Sequence, residues 1–400
     1  MKDVLITIYG LGCGGAEKSL LSFLEFLPRD KWNVDLIVAN PHGIFMDRIP
    51  SYVHVLDDLY ELENFSTPLE DRRKKVCGVH DFICQAGWKL MYPILKKKEK
   101  LSYGEAKWKL WGKHLPALEE KYDLAVSYMN GFTNYYVMEK VNADKKILWV
   151  HNEFEKLGYD YHFEAPFYGE ADAVVTISES CRDSILRVYP EIGDKVYVLE
   201  NISSAVTIRE MAEKTTEDEY FRYDKIKILS VGRLMEQKAF DLAVKAAGIL
   251  KERKLEFIWY IIGEGELRLQ LENLIQEKGL GDYVKFPGIK MNPYPYIAKC
   301  DIFVQSSKYE GKSIALDEAK ILCRPIVVTN YVTVSNSIMD GVNGMISDMD
   351  ETDLADKIQT LIEHKEIRES FTEQLRREKN GNEDEIYKYI DLFETMLRDC

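Results

Sequence analysis

No run of apolar residues in this 400-residue chain approaches the roughly 20 needed to span a bilayer. Met1-Lys2-Asp3 runs straight into a strand pattern without the apolar stretch of a signal peptide, so a protein working in the cytoplasm is expected. Cysteine is sparse and disordered in its spacing. Cys13, Cys77, Cys84, Cys181, Cys300, Cys323 and Cys400 are odd in number and contain no C-x2-C pair, which argues against a disulfide framework or a zinc ribbon. Positive charge is short as well, 53 Lys and Arg against 67 Asp and Glu, and the net charge of −14 argues against nucleic acid as a partner. There is no internal repeat and no low-complexity tract.

What is present is a chain rich in core-forming residues, 46 % hydrophobic, and long enough that two domains are expected. Short apolar runs alternate with amphipathic stretches, the pattern of a parallel sheet wrapped by helices. Strands are predicted at 4–8, 34–39, 53–56, 124–128, 146–150, 173–177 and 196–199, with helices such as 16–27 and 178–188 between them. Residues 201–225 turn polar and read as a linker. At Ile226 the pattern restarts, with strands at 226–231, 257–262, 283–286, 302–305 and 326–329 and helices at 240–251, 267–278 and 314–322. The expected organisation is α/β: a Rossmann-like domain over 1–200, a linker over 201–225, a second Rossmann-like domain over 226–380, and a helix over 381–400 packing back on the first domain. Two doubly wound domains of this kind would face each other across a deep crevice at the carboxyl ends of their strands.

The glycines and charges fall where such a crevice would need them. Gly10-Leu11-Gly12-Cys13-Gly14-Gly15 formally matches G-x-G-x-x-G, but the second strand ends Val38-Ala39-Asn40 without the acid that holds a ribose, so nicotinamide binding is disfavoured. Gly14 and Gly15 can still bring backbone close to a phosphate or an acceptor hydroxyl. Gly232-Arg233 follows the strand at 226–231, and Lys238 stands five residues beyond Arg233. A forked guanidinium and a compact ammonium together suit a diphosphate. Gly263-Glu264-Gly265 and Gly288 supply further close-approach turns, and His151 stands at the tip of a predicted strand. Surface charge, plain turns and a structural histidine are the competing readings of each feature taken alone.

The densest signal is Glu310-Gly311-Lys312-Ser313-Ile314 leading to Glu318, an E-x7-E spacing across a glycine turn into a helix. One carboxylate before a helix and one inside it can serve hydroxyls at two ends of a ligand, with the helix start between them for phosphate. A nucleotide-sugar has that distribution of groups.

Taken together, Gly14-Gly15-Ala16-Glu17, His151, Gly232-Arg233-Leu234 with Lys238, Gly263-Glu264-Gly265, the E-x7-E segment and Gly341-Val342-Asn343-Gly344 resemble the family 4 glycosyltransferases, in order and in spacing. The resemblance implies a GT-B architecture and retaining transfer of a hexose or N-acetylhexosamine from a nucleotide-sugar, UDP-linked above all, to a glycan or lipid-linked saccharide. It implies no metal and no cofactor other than the nucleotide-sugar as co-substrate. Arg233 and Lys238 would neutralise the leaving diphosphate, Glu318 would hold the ribose, and Glu310 would contact the sugar. His151 would lie near sugar and acceptor, and Gly14 and Gly15 would line the acceptor or phosphate side. Gly232, Gly263, Glu264, Gly288, Gly311, Lys312, Ser313 and Ile314 would complete the donor pocket. Two departures stand out: Ala239 replaces a frequent glycine after the lysine, and Lys312-Ser313 replaces the usual aromatic-glycine pair. A nucleotide-sugar epimerase and a catalytically silent binding module are the alternative functions.

One block departs from the acidic balance. Residues 72–113 carry twelve bases against three acids, a local charge of +9 that leaves about −23 for the rest, interleaved with Phe82, Trp88, Tyr92, Tyr103, Trp108 and Trp111. This mixture suits the face of an anionic membrane and a peripheral location at its inner side, or an insertion whose aromatics turn into the core.

Overall fold

The computed structural model describes residues 1–12, 14–41, 43, 45–56, 62, 91–97, 99–214, 217–310, 312–378 and 380–398. The chain divides into two compact units, Met1–Asn201 with Asp384–Cys400, and Ile202–Glu383.

The first unit is built on a parallel sheet of seven strands: β1 (Lys2–Gly10), β2 (Trp32–Asn40), β3 (His54–Val55), β4 (Lys121–Ser127), β5 (Asn142–Val150), β6 (Ala173–Thr176) and β7 (Val196–Val198). Their order is β3-β2-β1-β4-β5-β6-β7, so the winding reverses between β1 and β4. Val4, Leu5, Ile6 and Ile8 are all buried, as a strand covered on both faces requires. The helix Ile386–Arg398 belongs to this unit. Its Tyr389 packs on Phe23 and Trp149 at centroid distances of 5.2 and 5.1 Å, and its Phe393 on Trp32 at 5.8 Å.

Of the basic aromatic block, residues 72–90 and Lys98 lie outside the described residues. In the described part, Trp108 is buried against Tyr135 at 5.5 Å and Tyr92 meets Tyr103 edge to face at 5.5 Å. The helix Tyr103–Trp111 begins on a capping box between Ser102 and Glu105. Glu105 is fully buried yet satisfied, accepting the Ser102 and Asp160 amide N–H groups at 2.6 and 2.7 Å.

The second unit carries six parallel strands: β8 (Ile226–Val231), β9 (Phe257–Ile262), β10 (Val284–Lys285), β11 (Ile302–Gln305), β12 (Ile326–Thr329) and β13 (Met345–Ser347). The order β10-β9-β8-β11-β12-β13 reverses between β8 and β11. Both units are thus Rossmann-like and doubly wound. The edge strand β13 and the helix Tyr294–Lys299 were not foreseen, because each is too short to show a period.

The segment expected as a linker is part of the second unit. Ala205–Ala212 is a helix capped by Ser204, and Asp218 caps the turn Glu219–Arg222. Asp218 pairs with Lys290 at 2.7 Å and accepts the Tyr296 hydroxyl at 2.8 Å, while Ala205, Ile208 and Tyr220 enter the core. The acidic residues between them hid these three anchors from a composition reading. The division accordingly falls at 201/202, and the return at 383/384.

Glu164 is the least satisfied acid of the first core. It is fully buried, takes one hydrogen bond from the Tyr135 hydroxyl, and burial pushes its carboxyl up to about 8 against the pull of that bond. Because an unfolded glutamate ionises near 4.3, the folded state holds the extra proton between there and pH 8. Its contribution to stability is therefore complete below the unfolded pKa and is lost as pH rises to about 8. Glu164→Gln keeps an acceptor for Tyr135 and should remove this loss. In thermal melts, the variant's advantage over the parent protein should grow between pH 5 and pH 8, and a constant difference would contradict the assignment.

Candidate functional site

Loops at the reversal between β8 and β11 diverge to opposite faces, and ligands of open α/β sheets bind at such points. The expected cations follow β8 and the expected carboxylate follows β11, so both arrive at this place for a topological reason.

Main-chain contacts fix the first side of the site. The Gly232 amide donates to the Ile262 carbonyl at 3.0 Å, Gly263 to Gly288 at 3.1 Å, and Leu234 to Glu264 at 2.9 Å. The approach leaves no room for side chains. A Cβ at Gly263, where φ is +154°, would stand 1.9 Å from the Gly232 carbonyl oxygen. The Glu264 side chain turns to Arg268, and Arg268 also donates to the Phe286 carbonyl at 3.0 Å, which fastens the turn before Gly288.

Lys238 folds back over the tip of β8, its Cδ and Cε in ordinary contact range of a Cβ built at Gly232, 3.5 Å. Its ammonium donates to Glu310 Oε1 at 2.6 Å, with the two side chains 19 % and 7 % exposed. Glu310 also accepts from Ser307 Oγ at 2.5 Å and from Gln237 Nε2 at 3.4 Å. Its backbone carbonyl is held by Thr333 Oγ1 at 2.9 Å. Arg233 is exposed, and no acidic side chain among the described residues is ion-paired with it.

Ala239, the residue after this lysine, has φ and ψ of 45°. That is the left-handed region where a glycine costs nothing and an alanine about 1 kcal/mol. Ala239 thus occupies a backbone conformation that a glycine would adopt without strain.

Ser313 caps the helix Ile314–Ile321, accepting the Leu316 amide and donating to Gln305 Oε1 at 2.5 Å. Gln305 in turn donates to the Tyr331 hydroxyl at 3.2 Å. Ile314 opens the helix, half-buried. Glu318 lies one turn further in, fully buried, where it accepts the Tyr294 hydroxyl at 3.1 Å. Lys312 pairs with Asp317 at 3.8 Å and, with Lys320, Ser203 and Asn382, lines a polar recess of about 130 Å³. Gly311 lies outside the described residues.

Three expected residues, His151, Gly14 and Gly15, belong to the first unit. His151 is buried, its Nε2 2.8 Å from the Tyr128 carbonyl, and its ring lies 5.1 Å from that of Tyr128. Burial pushes its pKa down to about 4. The imidazole is therefore neutral at physiological pH, with Nε2 carrying the proton as donor to Tyr128. Gly14 precedes the helix Gly15–Phe26, and the Glu17 carboxylate lies over it: a Cβ there would be 2.2 Å from Glu17 Oε2. A helix start already covered by an acid suits a hydroxyl better than a phosphate.

Ser307, Gln237, Gln305, Thr333, Tyr331 and Tyr294 were missed. All but Gln237 and Tyr294 end or follow β11 or β12, so hydroxyls and amides at strand ends were the available signal.

Known proteins resemble this chain in sequence and in fold. Residues 212–378 match the family described as glycosyl transferases group 1. The chain is 27 % identical, over 93 % of its length and 93 % of the other, to N-acetylgalactosamine-N,N'-diacetylbacillosaminyl-diphospho-undecaprenol 4-alpha-N-acetylgalactosaminyltransferase of Campylobacter jejuni. It is 26 % identical, over 56 % of its length and 44 % of the other, to poly(ribitol-phosphate) alpha-N-acetylglucosaminyltransferase of Staphylococcus aureus. In structure it is similar to Anabaena HepE solved in complex with UDP-glucose, with a TM-score of 0.67 at 15 % identity, covering 99 % of this chain and 100 % of that one. The fold is of the GT-B type, and these findings together support a glycosyltransferase.

Gly263→Ala tests the main-chain packing. The added methyl must push the β9 loop off β8, so chemical denaturation should show a loss of about 3 kcal/mol. A loss below about 0.5 kcal/mol would show that the approach is not obligatory.

Proposed function

We propose that the protein transfers an N-acetylhexosamine or hexose, with retention, from a UDP-sugar to a hydroxyl of a lipid-linked or polymeric saccharide of the cell envelope. The observation that carries this reading is the pairing of Lys238 with Glu310 beside the β8/β11 reversal, with Arg233 exposed on the same loop after β8. The relatives support the substrate class. One is named for a diphospho-undecaprenol-linked acceptor and an N-acetylgalactosaminyl group, another for an N-acetylglucosaminyl group, both α-linked. UDP-hexoses carry their sugar α to phosphate, so an α product means retention.

As the bond from the anomeric carbon to the diphosphate breaks, negative charge grows on the leaving phosphate oxygen. Arg233 and Lys238 stabilise it without a metal, as cations fixed in place before the charge develops can do. The acceptor oxygen bonds to the anomeric carbon on the same face, and its proton passes to the departing phosphate. Glu318 holds the ribose from inside the helix, Glu310 takes sugar hydroxyls, and Gly232, Gly263, Glu264, Gly288, Lys312, Ser313 and Ile314 border the donor. Neutral His151 serves as a hydrogen-bonding group and not as an acid, while Gly14 and Gly15 line the acceptor side.

Incubation with UDP-N-acetylglucosamine, UDP-N-acetylgalactosamine or UDP-glucose, a lipid-linked saccharide and EDTA should release UDP and form an α-linked product. Arg233→Ala should lower kcat/KM by about 100-fold, the usual size for one lost charge-stabilising donor. UDP-sugar interconversion without acceptor would favour an epimerase instead, and no UDP binding at all would exclude the donor reading.

The acceptor's lipid suggests a role for the basic block. Met91, Ile94 and Tyr103 are 40 %, 53 % and 40 % exposed, and Lys96, Lys97 and Lys100 are exposed near them in sequence. Apolar side chains among lysines suit an anionic bilayer surface. Among the described residues no helix is long and apolar enough to cross a membrane. Lys96→Glu with Lys97→Glu should reduce cosedimentation with phosphatidylglycerol vesicles at least several-fold, leaving the low background on phosphatidylcholine unchanged. Equal cosedimentation of parent and variant would remove the membrane from this reading.

A further inference from the structure

We infer that Glu310 competes with the donor's diphosphate for Lys238, so that the site distinguishes a loaded UDP-sugar from spent UDP. The inference rests on the donor reading above and adds a function to its two best-placed charges.

The two cations differ in their partners. Arg233 is exposed and, among the described residues, has no ion-pair partner, whereas Lys238 is committed to Glu310 at 2.6 Å. That pair is mostly shielded from water, and Ser307 and Gln237 hold the carboxylate where Lys238 meets it. Thr333 pins the backbone of the same residue, and Ser306 Oγ donates to the Lys238 carbonyl at 2.8 Å. Both partners are therefore positioned by their own loops, and neither drifts to the other by chance.

A diphosphate can take Arg233 at once, but it takes Lys238 only by drawing it from Glu310. The separated carboxylate is then poorly solvated and close to an anion, which is costly unless a donor replaces the ammonium. The hydroxyls of an attached sugar supply that donor. UDP alone does not. After transfer the sugar leaves with the acceptor, Glu310 keeps only its neutral donors Ser307 and Gln237, and its return to Lys238 favours departure of UDP. Product release and donor selection would then arise from one ion pair.

Calorimetric titration of the full chain with UDP and with UDP-N-acetylglucosamine and UDP-glucose tests this. Glu310→Gln retains the shape and removes the competing charge. It should bind UDP about tenfold more tightly than the parent protein, the order expected for a shielded ion pair. The preference for UDP-sugar over UDP should shrink by a similar factor while transfer is lost. Glu310→Asp, which withdraws the carboxylate by one methylene, should give a smaller gain in the same direction and guards against a folding defect in the first variant, monitored by thermal melts. Lys238→Met should weaken UDP binding, and adding Glu310→Gln to it should bring a smaller gain than in the parent protein, since only repulsion between carboxylate and diphosphate is then relieved and no cation is set free. Unchanged or weaker UDP binding in both Glu310 variants, with normal melts, overturns the inference while leaving the donor reading intact. If the parent protein binds neither UDP nor any UDP-sugar, the donor reading itself fails, and the inference with it.

Discussion

The close approach of two backbones at the carboxyl ends of β8 and β9 sets the rest of the second unit's site. With the Gly232 carbonyl where a Cβ of Gly263 would lie, the two loops cannot part without losing hydrogen bonds on both, and Gly288 is drawn in by a third. Arg233 inherits its position from this packing. So does Lys238, whose stem lies along Gly232. Glycine is often described as flexible, but here its lack of a side chain produces rigidity by letting main chains meet.

The charges placed on this frame are managed unequally. Lys238 and Glu310 neutralise each other, and Glu310 is further held by neutral donors. Glu318 is carried deeper, on a helix whose start is tied through Ser313, Gln305 and Tyr331 to the neighbouring strand ends. Glu164 in the first unit shows the opposite economy: a single hydroxyl supports it, and it keeps its proton instead. Two carboxylates, one with a cation and several donors and one nearly alone, thus meet the cost of burial in different ways.

The two parallel sheets were legible in the sequence because strands buried on both faces are largely apolar, as in Phe257–Ile262. The linker misread has the opposite cause: Glu210, Glu213 and Glu219 dominate the composition, whereas Ile208 and Tyr220 decide the packing. Arg233, Lys238 and Glu310 stand out in the sequence by residue type and spacing. That Lys238 and Glu310 touch could not, since they are separated by 72 positions and brought together by sheet order. Ser307 and Thr333 carry no charge and sit in no repeating pattern, so only the register of β11 and β12 reveals them. The burial of His151 was hidden because it depends on Tyr128, which follows the neighbouring strand β4.

The helix Ile386–Arg398 completes the aromatic core of the first unit from the far end of the chain. During synthesis this reverses the usual sequence of events, in which the segment made first folds first. The second unit is continuous in sequence and has all of its strands as soon as it clears the ribosome. The first must wait, with Phe23, Trp32 and Trp149 lacking their final covering, until Tyr389 and Phe393 have been made. The half of the protein translated earliest is therefore the half that finishes last, and its unfinished core is the surface a nascent chain would have to keep from aggregating.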